Sequence, residues 1–225
     1  MRVVNLKIDE LECRCCMNPD AEAIAYILYP MDGLDSWILG AAHDYEVSIV
    51  AISNMDWNND LTPWPAAGVP KGSPDFKGLA PKFLEKLTQK VIPAIEDALN
   101  VRDRHERTLF GVSLSGLFTL WQWPQSDYFR NIATLSGSYW YEEFVQWVWK
   151  QSFTGKTGRC YMLLGDAEPH SGVPIFRRVG ECTDEIAGYL RRQGVDVAYD
   201  IVPGNHFQHP LERLTLAFSH IYGQS

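Results

Sequence analysis

The 225-residue chain has no apolar run approaching the roughly 18 residues of a membrane span. It has no block of lysine and arginine either. Twenty basic and 28 acidic side chains leave a net charge of −8, which argues against a nucleic-acid phosphate backbone as partner. Internal repeats and low-complexity tracts are absent, and charged residues make up only 21% against 46% hydrophobic, so a disordered chain is excluded. The opening MRVVNLKIDELE lacks the apolar core of a secretion signal, and a cytoplasmic location is expected. Cysteine is sparse, with five residues at 13, 15, 16, 160 and 182. An odd count without a secretion signal reads as reduced thiols and not as a disulfide framework. The spacing of Cys13, Cys15 and Cys16 does not match the C-x2-C pairs of zinc sites. These three read as small apolar side chains of a strand or turn, and neither a metal nor an organic cofactor is expected.

What is present is an alternation of short apolar runs and longer helical patterns, the mark of a mostly parallel α/β sheet covered on both faces. Runs at 23–29 and 47–53 read as buried strands. A long polar, Pro- and Gly-rich loop follows, of a length that tends to be functional. Residues 80–99 carry Phe83, Leu84, Leu87, Val91, Ile92 and Ile95 at helical spacing, with Pro93 expected to end or kink the helix. Further strands are expected at 108–113, 131–135, 160–164 and 195–202, and further helices at 181–192 and 210–222. In the segment between, Trp147 and Trp149 face different ways if helical and would hold a cover in place. The chain is expected to form a single domain over 1–225. Ligand sites in such sheets lie beyond the carboxyl ends of the strands, so the residues after each strand are where chemistry is sought.

Three strand ends carry suggestive residues. Gly111-Val-Ser113-Leu-Ser115-Gly116 stands between a strand and a helix, where a sharp turn exposes a serine hydroxyl above the sheet and small flanking residues let the backbone pass. Asn205-His206-Phe207 follows the last strand and can bring an imidazole to that hydroxyl. Gly165-Asp166-Ala167-Glu168 follows another strand and offers a carboxylate to orient the imidazole. Each alone reads as a turn serine, a loop histidine or a solvated charge. Together they stand at successive strand ends in the order serine, acid, histidine expected of the α/β-hydrolase fold. His209 is the rival base, although its place at the start of the closing helix favours a capping or surface role. Of the two carboxylates, Asp is the commoner third member of such triads. Glu168 has the longer reach and stands where the chain can turn toward the histidine loop, with Pro169 expected to hold it extended. Glu168 is favoured, with Asp166 kept as the alternative and a Ser–His dyad without a carboxylate left open.

From about residue 23 to 222 the sequence also resembles the esterase-D-like α/β hydrolases, in particular the siderophore (enterobactin-type) esterases. AYILYPMDG is similar to that family's strand and D-G segment, NNDLTPWP to its D-L-T-P loop, FLEKLTQKVIPAIEDAL to a long helix, and RTLFGVSLSGLFTLW to its elbow. ATLSGSYWY, YMLLGDAE and PGNHF are similar to the segments that follow. The resemblance implies an α/β-hydrolase fold with a minimal lid and hydrolysis of a carboxylic ester through an acyl-enzyme on Ser113. Oxyanion donors are then expected from the backbone at Leu114 and Leu34. Ser115 stands where the family has glycine. Trp57, three before Asp60, stands where relatives carry arginine, which disfavours an anionic siderophore as substrate.

Trp37, Trp57 and Trp140, with Trp64, Tyr139 and Tyr141, are candidates to line an aromatic cleft for a small aryl or hydrophobic ester, or to belong to the core. The partner expected is thus a small-molecule ester, with neither nucleic acid nor membrane. A carbohydrate-linked feruloyl or acetyl esterase is the rival enzyme, and a non-catalytic binding module on a hydrolase shell is the rival of another class.

Overall fold

Ten strands and seven α-helices alternate along the chain in a computed structural model that describes residues 1–28, 34–101 and 106–223. The strands are β1 (Arg2–Ile8), β2 (Leu11–Met17), β3 (Ala23–Leu28), β4 (Ser48–Ser53), β5 (Pro65–Ala66), β6 (Phe76–Lys77), β7 (Glu106–Val112), β8 (Asn131–Leu135), β9 (Arg159–Gly165) and β10 (Asp196–Val202). The helices are α1 (Leu34–Asp44), α2 (Ala80–Lys86), α3 (Ile92–Leu99), α4 (Leu114–Gln122), α5 (Phe144–Val148), α6 (Val179–Arg192) and α7 (Pro210–Tyr222). Eight strands form one sheet in the order β1-β2-β4-β3-β7-β8-β9-β10, and β5 with β6 forms a small ribbon. The β1–β2 and β2–β4 pairs are antiparallel and all later pairs in the sheet are parallel. The chain lays β4 on one side of β3 and then returns to lay β7 on the other. The carboxyl ends of β3 and β7 thus flank the crevice where order reverses, the usual ligand position in such sheets.

Each strand divides its residues between two cores because successive side chains point to opposite faces. Leu11, Cys13, Cys15, Tyr26, Val50 and Leu109 pack under α2 to α6. Cys16, Ala25, Ile27, Ile49, Phe110 and Leu163 pack under α1 and α7. The three clustered cysteines therefore cannot converge on one ion. Burial also pushes the Cys13 thiol up to about 11 and that of Cys15 to about 12, which keeps both protonated. Among the described residues no group of three or more His, Cys, Asp and Glu could hold a metal, and no helix is long and apolar enough to cross a membrane.

Pro93 does not end the helix expected over 80–99. The chain passes from α2 through a π-helical turn, Leu87–Val91, into α3, with Pro93 in its first turn. The Ile92 amide donates five residues back to Leu87. The wider turn accommodates a residue that has no amide proton to give. Tyr26 on β3 donates to Glu96 on α3 at 2.9 Å, and Arg107 on β7 meets the same carboxylate twice at 2.7 Å. This buried cluster ties α3 to the two strands flanking the crevice. On the opposite face Phe218 of α7 stacks on Phe110 of β7 at 4.3 Å between ring centroids and meets Trp37 of α1 edge-on at 4.8 Å. Phe218→Ala removes the ring that joins three elements. It is expected to lower unfolding free energy by about 3–5 kcal/mol, measured by urea denaturation followed by far-UV circular dichroism.

Candidate active site

Ser113 sits between the last residue of β7 and the first of α4 with φ +58 and ψ −121. A serine pays about 1–3 kcal/mol to stay in such a conformation, and it persists only where the surroundings over-determine it. Here its amide donates to Leu135 O at 3.0 Å, while its own carbonyl accepts from Ser138 and Leu117, each at 3.0 Å. Ser115 is fully buried. Its hydroxyl accepts from the Val112 amide at 2.7 Å and donates to the Val112 carbonyl at 2.9 Å, clamping the strand end that precedes Ser113. Gly111 is required for space, since a Cβ there would overlap the Ser115 carbonyl. The Ser113 hydroxyl lies 3.3 Å from that of Ser138.

Glu168 follows β9 and is 5% exposed. Its Oε2 lies 2.8 Å from His206 Nδ1. An ionised carboxylate only accepts, so Nδ1 carries the proton and Nε2 is left as the acceptor. Glu168 Oε1 accepts from Ser136 at 2.6 Å, from the Gly165 amide at 2.8 Å and from Arg213 Nη1 at 3.0 Å. Burial pushes this carboxyl up, but the hydrogen bonds from His206, Ser136 and Gly165 and the charge of His206 outweigh it and hold the group below its usual value of 4.5. Arg213, 4% exposed on α7, also bonds Ser136 Oγ at 2.9 Å and Asn205 O at 2.8 Å, so one guanidinium holds both the acid and the loop of the histidine. Gly165 leaves room for this cluster, for a Cβ would strike Gly204 O, Arg213 and Glu168.

Asp166, the alternative acid, is exposed and faces the chain and not the ring. Its carboxylate accepts from the Gly204 amide at 2.9 Å and its own amide donates to Val202 O at 2.8 Å. The expected extended backbone before Pro169 is not what forms: Glu168–His170 is a 3-10 turn, which Pro169 tolerates because a missing amide is no loss in a first turn. His209 caps α7 in the left-handed region and lies 3.8 Å from Glu212 in an exposed pair, away from Ser113.

Ser113, Ser138, Glu168 and His206 share a cavity of about 510 Å³ whose walls include Trp140, Val173, Phe176, Val179 and Phe207. Of the three tryptophans expected here only Trp140 lines it. Trp37 is turned to α7, where its indole donates to Thr215 Oγ1 at 2.9 Å. Trp57 is half-buried against the larger core and is not among the residues that line the cavity. Tyr139 is buried and donates to Thr134, Tyr141 donates to the Trp64 carbonyl, and Trp64 donates to the Glu142 carbonyl. Trp147 packs on Trp64, Trp121 and Phe144, whereas Trp149 is exposed. Sequence reasoning missed Arg213, Phe176 and Phe207. Arg213 alone gave a signal, as an arginine four residues before core Ala217 on a helix.

Leu114 opens α4 and Leu34 opens α1, and the first amides of a helix have no partner within it. The two helices follow neighbouring strands whose ends are level, Leu28 opposite Gly111. Residues 29–33, which precede Leu34 and include part of the expected D-G segment, lie outside the described residues.

A strained serine at the switch point of a mostly parallel sheet, sharing a cavity with a histidine paired to a buried glutamate, matches the arrangement of α/β hydrolases. The model of the Esterase family ("Putative esterase") matches residues 27–198, and the chain belongs to that family. It is 31% identical over 153 residues to the uncharacterized protein YbbA of Bacillus subtilis, a match covering 66% of this chain but only 60% of that relative's length. Among solved structures it is similar to an IroE-like serine hydrolase from Shewanella oneidensis, with TM-score 0.79, 19% identity, 98% of this chain and 79% of the other covered. It is likewise similar to the siderophore hydrolase EstB from Aspergillus nidulans, with TM-score 0.75, 16% identity, 98% and 94% covered.

Because the Glu168 carboxyl is depressed in the folded protein, it stabilises the fold above about pH 4.5, and that contribution is lost as pH falls through the folded value. Glu168→Gln also leaves Arg213 without its anion, so the variant is expected to be less stable by about 3–5 kcal/mol at pH 7. The gap to the wild-type protein should narrow as the pH is lowered below 4.5. Urea titrations of both proteins at pH 7 and at pH 4 check this, and a gap that widens in acid contradicts it.

Proposed function

We propose that the protein is a serine hydrolase that cleaves a neutral carboxylic ester carrying a small aryl or hydrophobic group. The observation that carries the reading is the Glu168–His206 contact of 2.8 Å in the same cavity as a serine held at positive φ. Family membership supports the reaction class. His206 Nε2 takes the Ser113 proton while Oγ attacks the ester carbonyl. The tetrahedral oxyanion accepts from the Leu114 amide and from Leu34. As the intermediate collapses, the bond to the alcohol oxygen breaks and His206 gives its proton to that oxygen. Water then attacks the acyl-enzyme, losing a proton to His206. The bond to Ser113 breaks, the proton returns to Oγ, and the carboxylic acid leaves. Glu168 keeps Nδ1 protonated and stabilises the imidazolium at each transfer.

The substrate class follows from the walls. Among the described residues the cavity carries Trp140, Phe176, Val173, Val179 and Phe207, and no lysine or arginine. Phe207 is 85% exposed beside the histidine, where an apolar substrate would cover it. A polyanionic substrate finds no cation among the described residues of this lining, whereas an uncharged aryl or short acyl group matches it.

Ser113→Ala is expected to abolish fluorophosphonate labelling and turnover of p-nitrophenyl esters without altering the far-UV spectrum. Glu168→Gln should cost several orders of magnitude in kcat, up to about 10⁴, and Asp166→Asn should stay within about tenfold, as loss of one exposed hydrogen bond implies. Labelling that persists in Ser113→Ala, or an Asp166 variant that is hit harder than the Glu168 variant, reverses these assignments.

A further inference from the structure

A second cavity, of about 310 Å³, lies on the far side of Trp140. Its inner wall is apolar, with Val69, Phe76, Val145, Ile175 and Cys182, and its charged groups Glu142, Glu143 and Arg178 are exposed at the rim. Both volumes fall in the range of small-molecule pockets. Trp140 is the one residue common to the two cavities. It packs on Phe176, with ring centroids 4.6 Å apart, and Phe176 faces the Ser113 side. Ile175 and Arg178, from the same 3-10 turn Pro174–Arg178, face the other cavity. The indole and this turn thus make a partition one side chain thick, with an apolar chamber behind it that does not include Ser113.

We propose that Trp140 is the specificity-determining residue that sets the length of the acyl group. The chamber behind it is a latent subsite for an unbranched, uncharged alkyl chain, closed by the indole in the wild-type protein. This rests on the assignment of Ser113 as nucleophile and adds a substrate limit to it. A short acyl or single-ring group ends against Trp140. A longer chain meets the indole and cannot reach apolar surface that would bury its remaining methylenes. Removing the indole joins the chambers and lets those methylenes leave water, a gain proportional to the apolar area covered. The chamber's buried wall offers no charged partner, so a chain ending in a charge has nothing to bind there.

The test compares kcat/KM for p-nitrophenyl acetate, butyrate, octanoate and decanoate in the wild-type protein and in Trp140→Ala. The octanoate-to-acetate ratio is expected to rise by at least about tenfold in the variant, the scale on which hydrophobic pockets discriminate by size. Labelling rates with decyl and ethyl fluorophosphonates should shift in the same sense, reading chain length without ester turnover. Adding Ile175→Trp to Trp140→Ala refills the second chamber and should bring the ratio back down. Trp140→Leu, which opens the wall only in part, carries the same comparison should the alanine variant not fold. An unchanged ratio in a variant that still labels at Ser113 overturns the partition. A ratio that rises but is insensitive to Ile175→Trp overturns the second chamber as the place where the chain goes. Wild-type protein that neither labels nor hydrolyses any ester sinks the serine-esterase reading, and the partition with it.

Discussion

The Glu168 carboxylate is the group around which the rest of this end of the molecule is arranged. It is almost fully buried, and an ionised carboxylate survives there only when its lone pairs are taken. Four donors take them: the His206 ring, the Ser136 hydroxyl, the Gly165 amide and the Arg213 guanidinium. Those donors come from the segment after β8, the end of β9, the loop after β10 and α7. Meeting the needs of one anion therefore fixes three successive strand ends and the closing helix relative to one another. The position of the histidine is a consequence of this, and so is the approach of residues 136–138 to the serine elbow.

The elbow is the complementary constraint. Ser113 holds a backbone conformation that a serine would not choose, and the cost is met by contacts on every side. The sheet partner Leu135, the first helical turn and Ser138 all bond its backbone, while Ser115 locks the preceding residue. Ser115 is therefore more than a small residue. Its hydroxyl supplies a bracket between strand and helix that glycine cannot, and it does so at a position with no exposure.

Much of this was legible before the structure. The strands and helices that carry the site declare themselves by apolar period, and the order of Ser113, Glu168 and His206 along the chain matches the order of the parallel strands that present them. What the sequence could not show was direction. Trp37 and Trp140 both follow strand ends, yet one faces Thr215 and Phe218 on α7 and the other faces the cavity. Helical phase and the neighbours across the sheet decide this, and neither is written in local composition. The backbone at Pro169 was misread for a similar reason. A proline restrains its predecessor toward extended forms, but the demand to bury the Glu168 carboxylate is the larger effect and turns the chain into a 3-10 turn. Arg213 lay hidden because an arginine on an apolar helix face announces only that some buried anion exists, and the partner, 45 residues away, is found by tertiary contact alone.

The presence of Arg213 raises an electrostatic question whose answer lies in the geometry. A cation beside the acid opposes any positive charge on the His206 ring, so at first sight it weakens the pair. The carboxyl is nonetheless held below its usual value by the hydrogen bonds from His206, Ser136 and Gly165 and the charge of His206, and a neutral acid neither fixes the imidazole tautomer as firmly nor balances its charge. The two oxygens divide the work: Oε1 meets Arg213, Ser136 and Gly165, while Oε2 is left to His206. The guanidinium thus meets the carboxylate oxygen that does not face the ring. Its second nitrogen spends its bond on Asn205 O, the residue before the histidine. The same side chain that meets the acid therefore also holds the residue before the imidazole.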